Sequence, residues 1–533
     1  MRTIILQRMG VVFGFFPALL FFSQPVFAQK IPGGKPNIII ILADDMGFSD
    51  LGSFGSEIHT PNIDRLAKEG LIMSQFYNCG RCCPSRAALL TGLYPHQAGV
   101  GDMVQDKGYP AYQGYLNDSC ATIAEWLREA GYATIVAGKW HVGLVPSAWA
   151  SHRGFDRSFT LQNNGSSYFN SKPLYNDGRK ITFLSGNKEV IREDSSTYLT
   201  KAFTDFALGA LEEQRNKSNP FFLYLAYNAP HWPLQALPED IAKYKGTCLP
   251  GWDIFRKKRY KKLLAAGLIS KQWELSDRFD KVPDWDSLTE KEKDVWDTRM
   301  AIYSAMIDRM DISIGEILDK LKEIKKDKNT LILFLSDNGG SADDVKNWKE
   351  VIQKSGTPGS VESIDSYQTP WGNVSNTPFR GFKKNTHEGG IATPFIAWWP
   401  GVIQAGRVND QIAHVIDILP TCLNLAGIHY SGVLNGRRLK PLEGLSLINI
   451  FNNQPFKGHE AIFWEHEGSR AVRKGKWKLV AENGAGWELY DMNKDRSETN
   501  DLASYYPEVV SDLQKEYGAW ATRVGVLEWN KIK

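Results

Sequence analysis

Two pairs of oxygen-bearing side chains follow apolar runs in this chain: Asp44-Asp45 directly after residues 37–43, and Asp337-Asn338 just after 331–335. They offer oxygen donors alone, a set suited to a hard divalent cation, with calcium favoured and magnesium possible. The imidazole or thiolate that zinc prefers is missing from it. Two further apolar runs end in basic residues: 133–137 leads into Gly138-Lys139-Trp140-His141, and 221–227 into Asn228-Ala229-Pro230-His231. Cys79, Cys82 and Cys83 crowd together ahead of a helical stretch at 87–91, and Pro84 suits that helix's first turn. Cys82 is thereby expected just ahead of a helix N-terminus, where unpaired N–H groups and the dipole attract an anion. Arg86, on the first turn, can point back toward it. A nucleophile, several cations and a divalent metal form the equipment for attacking an anionic ester, whose charge has to be neutralised before a nucleophile can approach.

Residues so far apart in sequence need a frame that gathers them. The four runs are apolar on both faces, rich in β-branched and aromatic residues, and four to seven residues long, as central parallel strands are. Helical patterns at 122–129, 198–213 and 295–324 separate them, so the expected fold is an α/β sandwich with a mostly parallel mixed sheet between helices. Ligands of such sheets bind at the carboxyl ends of the strands. Every polar cluster named above sits at such an end, which brings them to one rim. Past residue 415 the pattern changes to short strand-like pieces at 461–464, 469–473, 477–480 and 486–490, then an amphipathic helix at 508–524. That predicts a smaller C-terminal domain, 416–533, with an antiparallel sheet, after a catalytic α/β domain at 29–415. The stretch 341–376, poor in apolar residues, reads as a long surface loop returning to the site. The basic run 256–262 reads as the solvated face of a helix.

Composition narrows the class. With 533 residues, 42% hydrophobic and 23% charged, the chain buries a large core, which excludes disordered, collagen-like and small disulfide-stapled classes. Arg2 and Arg8 precede an apolar stretch and the small-x-small pattern Val26-Phe27-Ala28, the marks of a secretory signal at 1–28 cleaved after Ala28. Periplasmic or secreted placement follows, without stable membrane association, the apolar stretch being shorter than the roughly 20 residues of a spanning helix. Loss of the two leader arginines lowers the formal charge from +3 to +1, which gives no reason to expect nucleic acid as a partner.

The segment Cys82-Cys83-Pro84-Ser85-Arg86, continued as Ala87-Ala88-Leu89-Leu90-Thr91-Gly92, resembles the activation motif of the type I sulfatases, C-x-P-S-R followed by x-x-L-x-T-G. These are arylsulfatase-like enzymes of the alkaline phosphatase superfamily. The resemblance implies that Cys82 is oxidised to formylglycine by a formylglycine-generating or anaerobic sulfatase-maturating enzyme, with Cys83 in the variable position. It implies Asp44, Asp45, Asp337, Asn338 and the modified Cys82 as metal ligands. Gly138-Lys139-Trp140-His141 resembles the family's G-K-W-H element and Pro230-His231-Trp232-Pro233 its P-H-x-P element. A Lys five residues before the Glu of Glu388-Gly389-Gly390 is the family's second sulfate-binding lysine, which selects Lys383 over Lys384.

By the same resemblance, a hydrated formylglycine attacks sulfur, His231 and Lys383 serve the leaving oxygen, His141 deprotonates the remaining hydroxyl to expel sulfate, and Lys139 and Arg86 hold charge. The implied substrate is an aryl sulfate or a sulfated carbohydrate. Two other readings are a phosphonate monoester or phosphodiester hydrolase, whose relatives usually carry a His among the metal ligands, and a non-catalytic binder of sulfated glycans. Glu465-His466-Glu467-Gly468 could reach the pocket and bond sugar hydroxyls. Loss of Asp337 is expected to cost activity with little loss of fold.

Overall fold

The computed structural model describes residues 34–163, 165–192, 197–352 and 356–533. The expected signal segment lies outside the described residues. None of the described helices is long and apolar enough to cross a membrane.

The four apolar runs are strands. In chain order the main sheet contains β1 (Asn37–Ala43), β2 (Leu71–Tyr77), β3 (Ala133–Lys139), β4 (Arg157–Leu161), β5 (Phe183–Ser185), β6 (Lys188–Val190), β7 (Phe221–Ala226), β8 (Thr330–Ser336), β9 (Ala392–Trp398), β10 (Arg407–Asn409) and β11 (Ala413–His414). Their order across the sheet is β10-β2-β9-β8-β1-β7-β3-β4-β5-β6, with β11 beside β2. The centre β8-β1-β7-β3-β4 is parallel, and Ile38 to Ile41 of β1 are wholly buried between helical layers, as a strand apolar on both faces demands. Strand β9 runs antiparallel to both β8 and β2. Two reversals return β2 to the direction of β8, so the carboxyl end of β2 and the amino end of β9 share the rim.

The expected helices form at Ile123–Glu129, Leu199–Glu212 and Glu290–Glu323, the first and last begun by capping boxes on Thr122 and Thr289. A small hairpin, β12 (Val433–Leu434) with β13 (Arg437–Arg438), precedes the antiparallel C-terminal sheet β14 (Ala461–His466), β15 (Ser469–Lys474), β16 (Trp477–Ala481) and β17 (Glu488–Asp491). The helix Pro507–Val524 packs on β15 and β16.

Two local expectations are corrected. The stretch 341–376 is not all surface loop: Gln368–Ser375 is a helix whose residues from Pro370 onward are buried, because Trp371 fills space against Trp252 and Trp285. The basic run is solvated on one side only. It lies on the helix Trp252–Ala265, where Arg259 turns inward to hold Asp50 at 2.7 Å and Glu57 at 2.8 Å, and Arg256 binds the carbonyl of Ser276. Asp50 belongs to the segment that leaves β1, so Arg259 braces the backbone carrying Asp44 and Asp45.

A buried ion cluster joins the sheets. Glu388 accepts from Lys478 at 2.9 Å, Arg496 at 2.6 Å and the Tyr77 hydroxyl at 2.9 Å, while Lys478 also meets Glu498 at 2.7 Å. Burial opposes ionisation of Glu388, yet Lys478 and Arg496 outweigh it and bring its carboxyl down to about 2, below its unfolded value of 4.5. A carboxylate with a depressed folded pKa adds stability that is present above pH 4.5 and is lost as pH falls toward 2. Glu388→Gln leaves two buried cations short of a partner and is expected to cost about 3–5 kcal/mol at pH 7. Denaturant unfolding checks this at pH 7 and again near pH 3.5, where the deficit relative to the parent should shrink.

Candidate active site

Each cluster reaches the rim by its own route. Asp44 and Asp45 follow β1, Asp337 and Asn338 follow β8, Lys139 ends β3 with His141 two residues on, and His231 lies in the turn after β7. Asp45 and His141 hold positive φ, 66° and 55°, which non-glycine residues adopt at a cost that the surrounding packing has to cover. Gly339 and Gly389 exist for proximity. A Cβ on Gly339 would stand 1.8 Å from the Gly389 carbonyl oxygen, so only glycine lets the loop after β8 touch the loop before β9, where Lys383 sits.

Cys82 is the first residue of the buried helix Cys82–Thr91 and not a residue ahead of it. Arg81, in extended conformation at φ −151°, is the N-cap, and its carbonyl accepts the Ser85 N–H, which closes the first turn around Pro84. The N–H groups of the first turn still lack helical partners, so the anion-attracting end of the helix lies at Cys82.

Arg86 hydrogen-bonds to groups other than Cys82. Its Nε and Nη2 donate to Asp337 Oδ2 at 2.9 and 2.6 Å, and its Nη1 donates to the Lys139 carbonyl at 2.8 Å. Lys139 Nζ donates to Asp44 Oδ2, and Lys383 Nζ to Asp45 Oδ2 at 2.8 Å. Lys384, the neighbour that spacing set aside, has positive φ and lies toward Trp348 and Asp343.

The oxygen set fits a divalent cation. Asp44 Oδ1 and Asn338 Oδ1 are buried with no hydrogen-bond partner, although buried oxygens are nearly always satisfied. Burial and the neighbouring Asp44 push the Asp337 carboxyl upward, while Lys139, His231 and Arg86 outweigh burial to hold Asp44 down. Two buried carboxylates this close cannot both stay ionised cheaply without a cation between them.

Cys82 and Cys83 occupy opposite environments despite adjacency. The Cys83 contact is the strongest influence lowering Cys82; burial opposes it, and Lys139 and His141 pull further down. Burial, together with Cys82, pushes Cys83 up. Burial takes His141 down to about 4, so it is a neutral base at pH 7, and it lowers His231 as well. His231 Nδ1 lies 2.6 Å from the Trp232 carbonyl, which fixes the N–H there and leaves Nε2 unpartnered 3.6 Å from Asp45 Oδ2.

The cleft above these groups has a volume of about 720 Å³ and is lined by Arg81, His141, Trp232, Trp348, Asp343 and Lys383 among others. Sequence reasoning missed Tyr168, whose hydroxyl is 2.7 and 2.8 Å from the carbonyls of Asn228 and His231 and so positions the His231 turn. No pattern around residue 168 signals this role. All six cysteines are free and buried, so the Cys79 to Cys83 cluster is no disulfide framework.

Comparison with known proteins agrees with this geometry. The sulfatase family pattern matches residues 36–428, and that of the N-sulphoglucosamine sulphohydrolase C-terminal region matches 380–521. The chain is 36% identical to an arylsulfatase of Klebsiella aerogenes over 78% of its own length and 92% of that protein. It is 35% identical to an uncharacterized sulfatase of Schizosaccharomyces pombe, covering 94% of this chain and 96% of that one. The crystal structure of Ps i-CgsB superposes with a TM-score of 0.68 at 29% identity, covering 91% of this chain and 93% of the other. Together with the oxygen cage, the cysteine that opens a buried helix and the cationic and imidazole side chains on one rim, these matches show that the chain belongs to the sulfatase family and is a sulfuric ester hydrolase.

Proposed function

We propose that this enzyme hydrolyses sulfate monoesters of carbohydrates through a formylglycine made from Cys82, with calcium held by Asp44, Asp45, Asp337 and Asn338. The observation that carries the reading is the convergence of the complete Cys82-to-Gly92 motif with two unpartnered metal-facing oxygens and an unpartnered His231 Nε2. The sugar preference draws support from the similar protein Ps i-CgsB, which has been solved with k-i-k-neocarrahexaose. Export behind the leader at 1–28, and activation by a maturation enzyme before or during it, belong to the same reading.

Bound calcium would neutralise the ester's charge and acidify the attacking hydroxyl. The chain's own groups do the rest. One hydroxyl of hydrated residue 82, its proton given up to solvent, forms the bond to sulfur as the bond from sulfur to the alcohol oxygen breaks. The alkoxide leaves on the side of Lys383 and His231, taking a proton that His231 Nε2 carries in once the anionic ester has raised its affinity for it. His141, neutral at pH 7, then removes the proton of the second hydroxyl. Its electron pair restores the aldehyde as the bond from carbon to the sulfate oxygen breaks.

The reading is tested by assaying aldehyde-bearing enzyme on nitrophenyl sulfate, a panel of monosulfated hexoses and N-acetylhexosamines, and a phosphodiester. Sulfate release is expected, to be abolished by exhaustive chelation and restored better by calcium than by magnesium. Full turnover in the chelated sample, or hydrolysis of the phosphodiester alone, would contradict it.

A further inference from the structure

The mechanism leaves two cations of the cleft unused, Arg81 and the exposed Arg179, and Arg179 is paired with Asp177 at 2.8 Å. Arg81 immediately precedes the nucleophile, its backbone is extended, and its side chain lines the cleft. Its Nη1 is shielded from solvent and has no hydrogen-bond partner; its Nε meets only the soft Met103 Sδ, at 3.3 Å. Among the described residues Arg81 forms no ion pair, whereas the buried Arg86, Arg153, Arg259 and Arg496 each hold a carboxylate. Burial opposes the Arg81 charge, while Cys82, Glu467 and Asp343 lie near enough to favour it, but neither acid closes on it.

Arg81 is not isolated in this. Next to Met103, Asp102 keeps Oδ1 unpartnered while 5% exposed. His466 is fully buried with neither ring nitrogen hydrogen-bonded, its Nε2 lying 3.5 Å from Glu467 Oε1. One polar atom each of Asp102, His466 and Glu467 lie within 4.8 Å of one another. Unsatisfied buried polar groups are few in folded proteins, and here they are carried by Arg81 on the cleft and by Asp102 and His466 in the protein behind it.

The wall's chemistry selects its ligand. Arg81 offers only donors, Asp102 and Glu467 offer only acceptors, and His466 offers one of each. A carboxylate or second sulfate would satisfy Arg81 and be repelled by the two acids, and an aryl ring would satisfy none of the four. Hydroxyl groups give and accept at once. The indoles of Trp232 and Trp348, 5.5 Å apart on the same cleft, add apolar surface for the C–H face of a ring.

We propose that Arg81, backed by Asp102, His466 and Glu467, forms the subsite that reads the hydroxyls of a neutral sugar leaving group. This rests on the sulfatase reading above. It makes Arg81 a specificity-determining residue that acts on the alcohol and not on the sulfate.

The experiment compares Arg81→Ala, Arg81→Lys and Glu467→Gln with the parent on nitrophenyl sulfate and on the panel of monosulfated hexoses and N-acetylhexosamines. Rates are normalised to the aldehyde fraction at residue 82 by peptide mass spectrometry, since Arg81 adjoins the modified site. For the best sugar, Arg81→Ala should lower kcat/KM about ten- to hundredfold more than it lowers kcat/KM for nitrophenyl sulfate, the range expected when a charged donor loses a hydroxyl acceptor. Arg81→Lys, which keeps charge without the fork, should recover part of the difference, and Glu467→Gln should lower the same ratio. Equal losses on both substrates, or a parent that turns over nitrophenyl sulfate and no sugar sulfate, would overturn the proposal and leave the sulfatase reading intact. A parent inactive on every sulfate ester would instead remove the sulfatase reading. Should Arg81→Ala fail to fold, Arg81→Met keeps the stem on Met103 and yields the same ratio.

Discussion

Cys82→Ala is expected to release no measurable sulfate, a fall of about 10⁵-fold or more, while Cys83→Ala keeps most of the parent activity. The two side chains are neighbours in sequence and are both fully buried, so neither exposure nor composition separates them. Their surroundings do. Cys82 is turned toward Lys139 and His141, which favour a negative atom at that position, whereas burial holds Cys83 in its neutral form. Cys82→Ser sharpens the test. A serine hydroxyl can attack sulfur but has no second hydroxyl for His141 to deprotonate, so the variant should stop as a sulfated protein, heavier by one sulfate, or be inert. Mass spectrometry of the peptide spanning residues 82 and 83 reads both outcomes; an unmodified Cys82 thiol in fully active enzyme would dismiss the mechanism.

Asp337→Ala should lower activity about 10³-fold or more, because a charged ligand of the proposed cation is lost where the ester's charge must be neutralised. The structure changes the expected accompaniment. Sequence alone suggested that the fold would barely notice, but Asp337 Oδ2 accepts two N–H groups of the wholly buried Arg86. Removing it strands a guanidinium in the core, with Asp44 left at 3.6 Å as its nearest carboxylate, so a stability loss of about 3–5 kcal/mol should appear as well. Asp337→Asn separates the effects. It keeps the volume and an oxygen to accept from Arg86, so unfolding should move much less while activity remains lost. Thermal melts beside sulfate-release assays decide the matter, and an active, chelator-resistant Asp337→Asn enzyme would sink the cation assignment.

Much of this protein is written locally. The runs that became β1, β3, β7 and β8 declare themselves because a central parallel strand is apolar on both faces, and a residue's neighbours in sequence suffice to show it. The polar residues that end those runs come to one rim because strand direction and strand ends are also local facts. The Cys82-to-Gly92 motif is likewise readable, and the resemblance it carries, through the family's spacing of a Lys before Glu388, separates Lys383 from Lys384.

What lies beyond sequence is pairing over long separations. Strand β2 went unread because Ser74 and Gln75 interrupt it where its register shifts between Met73 and Phe76, and β9 because Pro394 sits inside it. Without those two strands nothing in the sequence says that Cys82 and Lys383 approach the same rim from opposite chain directions. The partner of Arg86 lies 251 residues away and that of Arg259 lies 209 away, so Arg86 reads only as a neighbour of Cys82, and Arg259 as solvated, until the tertiary fold supplies each with its buried acid. The same holds in reverse for Arg81. Only the packed structure could reveal that no acid closes on it, because the absence of a partner is a property of the whole neighbourhood and not of any segment of the chain.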